Sequence, residues 1–324
     1  MPHAKIPSDN PIKPVKRNIS GVLLLDKPHG ISSNKAVQIA KRTFSAAKCG
    51  HTGTLDPMAT GLLPLCFGEA TKFSSVLLGA DKTYEATLKL GFLSTTGDAE
   101  GEISQLRTDS GNPTLSLCEQ IIKQFTGTIM QVPPMYSALK HQGKPLYAYA
   151  RKGEVIERPA REVMIHAIQI KSLINDELAL AIQCGTGTYI RTLAEDIGKA
   201  LGCGGAYLLQ LKRTVIDRFD LSQTQTLLAL QEMDATEQAH CLLPIDSLLQ
   251  EFPIITLDAV AALHIVQGRL ISSPLSGINS MAEGNTVRLY NHQQQFLGLG
   301  ETMSEQRIIA KRLLANSELL GIAV

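Results

Sequence analysis

The sequence predicts an α+β fold, and three observations carry that expectation. Tyr84, Ala86, Leu88, Leu90 and Phe92 alternate with Glu85, Thr87, Lys89 and Gly91, the period of a strand with one buried face. Ile190, Leu193, Ala194, Ile197 and Leu201 form an apolar stripe at helical spacing, closed by Gly202. The tail from about Ile254 is β-rich, with strands expected over 286–290 and 295–300. The 324 residues suggest two domains at roughly 150 residues each. A change of composition between Pro244 and Pro253 puts the boundary near residue 250.

The elements follow in order. Met1 to Ser20 is rich in Pro and Lys and lacks an apolar core, so it is no signal peptide. Residues 1–19 are expected to form a flexible basic arm. Gly21 to Pro28 is a short apolar run ended by proline, consistent with a buried strand. Ser32 and Ser33 offer an N-cap for a helix to about Thr43. Residues 49–61 are dense in Gly, Thr and Asp-Pro and read as a loop. Cys118, Ile121, Ile122 and Phe125 follow helical spacing, with Gly127 past the end. Residues 132–161 carry Pro, Tyr and basic side chains without a period, which for that length suggests a functional insertion. Strands are expected at about 163–173 and 177–184, turned by Asn175-Asp176, and Thr188 is the expected N-cap of the following helix.

Lys plus Arg total 31 and Asp plus Glu total 30, a net charge of +1, with 44% hydrophobic and 19% charged residues. These values exclude a disordered chain, a collagen and a disulfide-stapled mini-protein. They give no global sign of a nucleic-acid partner, whose usual footprint is a strongly basic domain. None of the six cysteines forms a Cys-x-x-Cys pair, and no His cluster stands at zinc spacing. Free thiols, a cytoplasmic protein and no metal are expected. No apolar run approaches the ~18 residues that span a bilayer. The glycines at 185–187 and 202–205 complete no phosphate-binding fingerprint.

Gly50 to Gly61 is a glycine-flexed loop that presents one carboxylate, Asp56. Pro57 removes a backbone donor and biases Asp56 toward extended geometry. The residues alone leave two choices, an ordinary turn or a catalytic loop. Tyr84 is likewise a half-buried core tyrosine or a site residue. Arg191 falls in the first turn of its helix, where the dipole disfavours a cation. It is either a solvated arginine or one held by a specific anion. His51 and Cys49 suggest a Cys–His nucleophile, but nothing else in the chain supplies the supporting geometry. Lys140, Lys144, Arg151, Lys152, Arg158 and Arg161 outnumber Glu154 and Glu157 in the insertion, with Tyr147 and Tyr149 interleaved. That is a solvated charged loop, or a surface for backbone contact and base stacking.

GHTGTLDPMATG, followed by Leu62-Leu63-Pro64, resembles the catalytic loop of the TruB family of tRNA pseudouridine synthases. GVLLLDKPHGISSN at 21–34 resembles the family's opening motif. Asp81-Lys82-Thr83-Tyr84 is similar to its tyrosine motif, and Gly187-Thr188-Tyr189-Ile190-Arg191-Thr192 to its arginine motif. Pro134 to Lys140 resembles the start of its RNA-contacting insertion. The resemblance runs in order over about 20–250 and is looser from 252. Thr186, where the family often has Lys or Ser, and Lys212, where Arg is common, depart from the pattern and weaken two expected phosphate contacts.

The resemblance implies a catalytic domain over 20–250 with the pseudouridine synthase fold, a mixed, mostly antiparallel sheet with a central cleft. It implies an RNA-contacting insertion at about 132–161 and a PUA-like, RNA-binding β domain at 252–324. The implied reaction is an isomerisation of the T-loop uridine, position 55 of tRNA, with no redox change and so no cofactor. Asp56 would be the catalytic carboxylate at C1′, either a nucleophile that bonds to it or a base that opens a glycal route. Tyr84 would stack on the base and help remove the C5 proton. Arg191 would pair with Asp56. Tyr189 and Leu211 would line the base pocket, with Lys27 beside it. His51 would help hold a flipped-out nucleotide. Lys140, Lys144, Tyr147, Arg151 and Lys152 would contact RNA. The implied partner is the tRNA T arm, with no membrane and no obligate protein partner, and a monomer is expected. The net charge of +1 is then an average over unlike surfaces.

Two other classes compete. An RNA-folding chaperone would grip the T arm without needing Asp56, Tyr84 and Arg191, and the two roles can coexist. A carbohydrate glycosidase would need a second catalytic carboxylate, and the sequence marks none.

Overall fold

The computed structural model describes residues 16–106, 113–272 and 282–315. Most of the expected basic arm, residues 1–15, lies outside the described residues. Arg17 already bridges to Ala46, and its N–H donates to the Ser45 carbonyl at 2.7 Å.

Strand β1, Gly21–Lys27, is apolar nearly throughout because both its faces are buried. Leu23 and Leu25 enter one core, Val22 and Leu24 the other. Helix α1, Ser33–Thr43, starts where the Ser32 side chain accepts from the Lys35 N–H, and it buries Ala36, Val37 and Ala40. The expected loop at 49–61 is shorter than its composition suggests. Cys49–His51 is strand β2, antiparallel to β3, Thr60–Phe67, so the true loop is 52–59. Three residues are too few to show a period.

Strand β4 is Lys82–Leu90, helix α2 Leu115–Ile122 and strand β5 Gly127–Gln131. Within the insertion, Lys140–His141 pairs with Lys144–Pro145, and Leu146–Ala150 forms one helical turn. Strands β6, Arg161–Ile174, and β7, Glu177–Cys184, make the expected hairpin, with Asn175 at φ 55° in its turn. Helix α3 is Ile190–Ala200. Its N-cap is Tyr189, not Thr188, whose hydroxyl instead donates to the Gly185 carbonyl at 3.0 Å. The buried Gln131 side chain takes over the end. Its Oε1 accepts from the Tyr189 N–H at 3.1 Å, and its Nε2 donates to the Tyr189 carbonyl at 3.4 Å.

Strand β8, Ala206–Ile216, went unseen in sequence because bulges at 208/210 and 213/215 break its alternation. With β9, Gln225–Thr226, the central sheet runs β9-β1-β3-β8-β4-β7-β6-β5, with β2 on β3 and Phe219–Asp220 on β8 as branches. The β1–β9 and β3–β8 pairs are parallel and the others antiparallel, the mixed sheet expected. Helices α1 and α3 pack their apolar faces on one side, against Leu63, Leu88 and Leu180.

A second sheet begins at β10, Ile254–Thr256. It continues through helix α4, Ala259–Val266, and strands β11, Ile271–Ser272, β12, Thr286–Tyr290, β13, Phe296–Met303, and β14, Arg307–Leu313. Its order is β10-β12-β13-β14-β11. Leu299 and Leu314 join Phe73, Leu77 and Leu248 of the first part in one core, so the sheets are packed together.

Among the described residues, no helix is long and apolar enough to cross a membrane and no His/Cys/Asp/Glu group could hold a metal. All six cysteines are free.

Candidate active site

The loop at 52–59 is fixed from several directions. The Thr52 N–H donates to the Pro64 carbonyl at 3.1 Å, and Gly53 turns the chain at φ 84°. The Ser33 hydroxyl donates to the Leu55 carbonyl at 2.9 Å and accepts from the Leu55 N–H at 2.8 Å. The Gly30 N–H and Lys27 Nζ both donate to the Pro57 carbonyl. Leu55, Met58 and Ala59 are buried, while Asp56 is half-buried and Thr54 exposed. Ser33→Ala removes both bonds of a buried pair and should cost about 1–3 kcal/mol. Chemical denaturation, with a drop in activity larger than the drop in folded fraction, checks that the lost bonds also positioned Asp56.

Asp56 lies 3.0 Å from the Arg191 Nε. The carboxylate side chain keeps 34% of its surface and the arginine 6%, so the cation is walled in while the anion still faces outward. Arg191 Nη1 donates to the Thr96 carbonyl at 2.8 Å, and Nη2 donates to the Tyr136 carbonyl at 2.6 Å. Its Nε also lies 3.8 Å from Asp98. Asp98 is buried and itself held, accepting from the Thr96 hydroxyl at 2.5 Å and the Glu100 N–H at 3.1 Å. One guanidinium thus ties together the Asp56 carboxylate, the 96–98 turn and the root of the insertion. This resolves the dipole problem of a cation in a first helical turn, since Arg191 has two anionic partners. Burial pushes the Asp56 pKa up and Asp98 adds to it, while Arg191 and Lys27 oppose the rise.

Lys27 is fully buried, with Nζ donating to the carbonyls of Pro28 at 2.9 Å, Ile31 at 2.7 Å and Pro57 at 3.3 Å. Burial lowers its pKa to about 8, against the pull of Glu100 and Asp56. It acts on the site through charge and by holding the Asp56-Pro57 turn. Tyr84 is half-buried near the start of β4. Burial raises its pKa, while Arg213 opposes the rise by charge and a side-chain hydrogen bond. Leu211 lies on β8 opposite Ala86, in the register of the Arg213–Tyr84 pair. His51 is part-buried, and burial first and Arg213 second lower its pKa, so it is neutral at pH 7. Tyr189 is half-buried at the N-cap of α3, two residues from Arg191. Burial pushes the Cys49 thiol up to about 12, which leaves no thiolate for a Cys–His pair.

Lys140, Lys144, Tyr147, Arg151 and Lys152 are all exposed. The Arg151 guanidinium lies 5.4 Å from the Tyr147 ring centroid. Among the described residues none of them hydrogen-bonds or ion-pairs with Asp56, and the insertion reaches the site through the Tyr136 carbonyl on Arg191. Thr186 is exposed and its hydroxyl donates to the Leu78 carbonyl at 2.9 Å. A hollow of about 760 Å³ is lined by Met58, Thr60, Leu211 and Lys212 among others. Asp56 and Tyr84 do not line it, so the Asp56–Arg191 geometry, and not this hollow, defines the site.

Two residues of this arrangement escaped the sequence. Asp98 follows Thr95-Thr96-Gly97, which reads as a plain turn. Arg213 stands in a Lys-Arg pair that reads as surface, yet it is 1% exposed.

Known proteins share this arrangement of sequence and fold. Residues 41–190 match the TruB family pseudouridylate synthase N-terminal domain. Residues 191–250 match the tRNA pseudouridylate synthase B C-terminal domain, and 253–314 the pseudouridine synthase II TruB C-terminal domain. The tRNA pseudouridine synthase B of Nitrosospira multiformis is 57% identical over 302 residues, covering 92% of this chain and 96% of that one. Its counterpart from Nitrosomonas europaea is 50% identical, covering 93% and 98%. Among solved structures, a chain of an H/ACA RNP bound to a substrate RNA containing 2'-deoxyuridine superposes with a TM-score of 0.69 at 22% identity, over 91% of this chain and 85% of that one. That last likeness concerns the fold, whereas the sequence matches run through the Asp56 loop and the Arg191 helix alike. The chain belongs to the TruB family of pseudouridine synthases.

Proposed function

We propose that this protein is a tRNA pseudouridine synthase, an isomerase that acts on the T-loop uridine at position 55, with Asp56 as its nucleophile. The observation that carries the chemistry is the Asp56–Arg191 pair, a carboxylate oriented by a buried cation and still open to a substrate. Relatives 57% and 50% identical over nearly their whole length support the substrate class.

The uridine leaves the T-loop stack, at a cost of a few kcal/mol. The N1–C1′ bond breaks, its electron pair stays with the base, and Asp56 bonds to the electron-poor C1′. The uracil anion turns, and its C5 displaces Asp56 from C1′. Loss of the C5 proton then forms C5=C6, the C6=N1 pair moves onto N1, and N1 takes a proton. Tyr84 accepts the C5 proton as its phenolate and stacks on the base. Leu211 and Tyr189 wall the pocket, Lys27 flanks it, and His51, neutral, holds the everted nucleotide. Water is kept out because hydrolysis at C1′ would leave an abasic site. Residues 20–250 carry this chemistry, and 252–324 form a PUA-like domain that grips the RNA. The working unit is a cytoplasmic monomer whose partner is the tRNA T arm.

Incubating the protein with a tRNA transcript tritiated at uridine C5 tests this reading. Release of one tritium per tRNA is expected, and no release would overturn it. The insertion supplies a second expectation. Replacing Lys140, Lys144, Arg151 and Lys152 with Ala should weaken tRNA binding and flatten its salt dependence by roughly one unit of log–log slope per lost phosphate contact. Filter binding across a salt series reads this, and an unchanged slope would place the RNA elsewhere.

A further inference from the structure

Arg213 is among the largest fully buried side chains of the molecule. An arginine stays charged at any accessible pH, and a buried charge is expensive unless it is paired. Yet among the described residues no carboxylate forms an ion pair with Arg213. Its partners are dipoles. Nε donates to the Leu62 carbonyl at 2.8 Å, and Nη2 donates to the Gly53 carbonyl at 3.2 Å. The remaining partner is Tyr84, directly opposite it in the β8–β4 register.

Two glycines lie against this residue, one at its backbone and one beside its guanidinium. A Cβ on Gly61 would overlap the Arg213 carbonyl, and Gly61 sits at φ 98°, a conformation that suits glycine. Gly53 lies under Nη1 and turns the Asp56 loop at φ 84°. Arg213 therefore bonds the loop that carries Asp56 and stands across the sheet from Tyr84, without being exposed to RNA itself.

We propose that Arg213 is a positioning residue whose uncompensated charge stabilises the phenolate of Tyr84 and locks it in register with the Asp56 loop. The proposal rests on the assignment of Tyr84 as acceptor of the C5 proton and deepens it. In that step the C5–H bond breaks, its pair forms C5=C6, and the proton goes to the Tyr84 oxygen, which Arg213 has favoured in its anionic form. The phenolate is regenerated by loss of that proton to solvent. Other groups that bear on the Tyr84 hydroxyl work against ionisation. Burial is the largest, and Cys184 on β7 and Asp56 on the loop add to it. Arg213 is the cation that opposes them.

The test is a double-mutant cycle with a spectroscopic readout. Arg213→Met and Arg213→Lys are made with Tyr84 present and in the Tyr84→Phe background, and tritium release is followed under single-turnover conditions. Arg213→Met should slow release by about tenfold or more with Tyr84 present, within the range of proton-transfer catalysis. It should change the rate by less than about twofold in the Tyr84→Phe background, since the two side chains act as a unit. Arg213→Lys, which keeps the charge, should recover part of the rate. Ultraviolet difference titration against Tyr84→Phe should show tyrosinate forming at higher pH in Arg213→Met than in the parent. Equal losses in both backgrounds, or an unmoved tyrosinate titration in a folded variant, would overturn the proposal. Should Arg213→Met fail to fold, Arg213→Lys carries the cycle and the titration alone. If the parent releases no tritium, the assignment of the reaction fails instead, so the two failures are distinguishable.

Discussion

Asp56→Asn should lose pseudouridine formation by roughly 10⁴-fold or more, the scale of removing a catalytic nucleophile. Binding of tRNA should survive, because the exposed basic insertion reaches the site through Arg191 and not through the carboxylate. The folded state should not suffer. Burial raises the Asp56 pKa above its ordinary value of 3.8, so the folded protein holds this proton more tightly than the unfolded chain does. The group therefore contributes least to stability above its folded pKa, where ionisation costs the folded state. A neutral isostere removes that cost, and at pH 7 the variant's melting temperature should equal or exceed that of the parent. The parent's rate should also fall on acidification at a pH above the ordinary carboxylate value, since only the ionised carboxylate attacks. Thermal melts, filter binding and a pH–rate profile check these points. A variant that binds poorly or melts early would make Asp56 a structural residue.

The second large effect belongs to Arg191→Met. Arg191 lies between Asp56 at 3.0 Å and Asp98 at 3.8 Å, and it also holds two backbone carbonyls. Removing it leaves two acids near each other without the cation that pairs with both, and one of them, Asp98, is 3% exposed. Breaking a buried pair from one side typically costs about 3–5 kcal/mol. Activity should drop by roughly 100-fold or more, because a pre-oriented charge at the reacting centre is lost. Adding Asp98→Asn should restore part of the stability and none of the activity. Denaturant titration and tritium release of the single and double variants separate the two effects. A double variant that regains activity would mean that Arg191 only balances Asp98.

Periodic elements were legible in the sequence. β1, β4, β6, β7 and α3 carry long apolar patterns that local physics reads directly. Strand β8 was not, because two bulges move its side chains between faces. Its place in mid-sheet, between β3 and β4, is what buries Arg213. Nothing within Leu211-Lys212-Arg213-Thr214 distinguishes a buried arginine from a surface one. Asp98 was hidden for a similar reason. Its neighbours announce a turn, and its meaning comes from a helix far along the chain. The Thr188 cap failed because the buried Gln131, on a distant strand, took that work. The Asp56–Arg191 pair was legible through the family motifs, whereas the cation set against its own helix dipole left a solvated arginine or one held by some anion equally open.

The net charge of +1 no longer argues against a nucleic acid, since exposed Lys140, Lys144, Arg151 and Lys152 cluster on one insertion. The central claim is that Asp56 performs an isomerisation on one uridine of tRNA. Site-resolved pseudouridine mapping tests it most directly, on one tRNA transcript treated with the parent or with Asp56→Asn and given no cofactor. The account predicts pseudouridine at the single T-loop position with the parent and none with the variant at matched tRNA binding. Modification by Asp56→Asn at near the parent's rate, or an unmodified T loop with the parent, would contradict it.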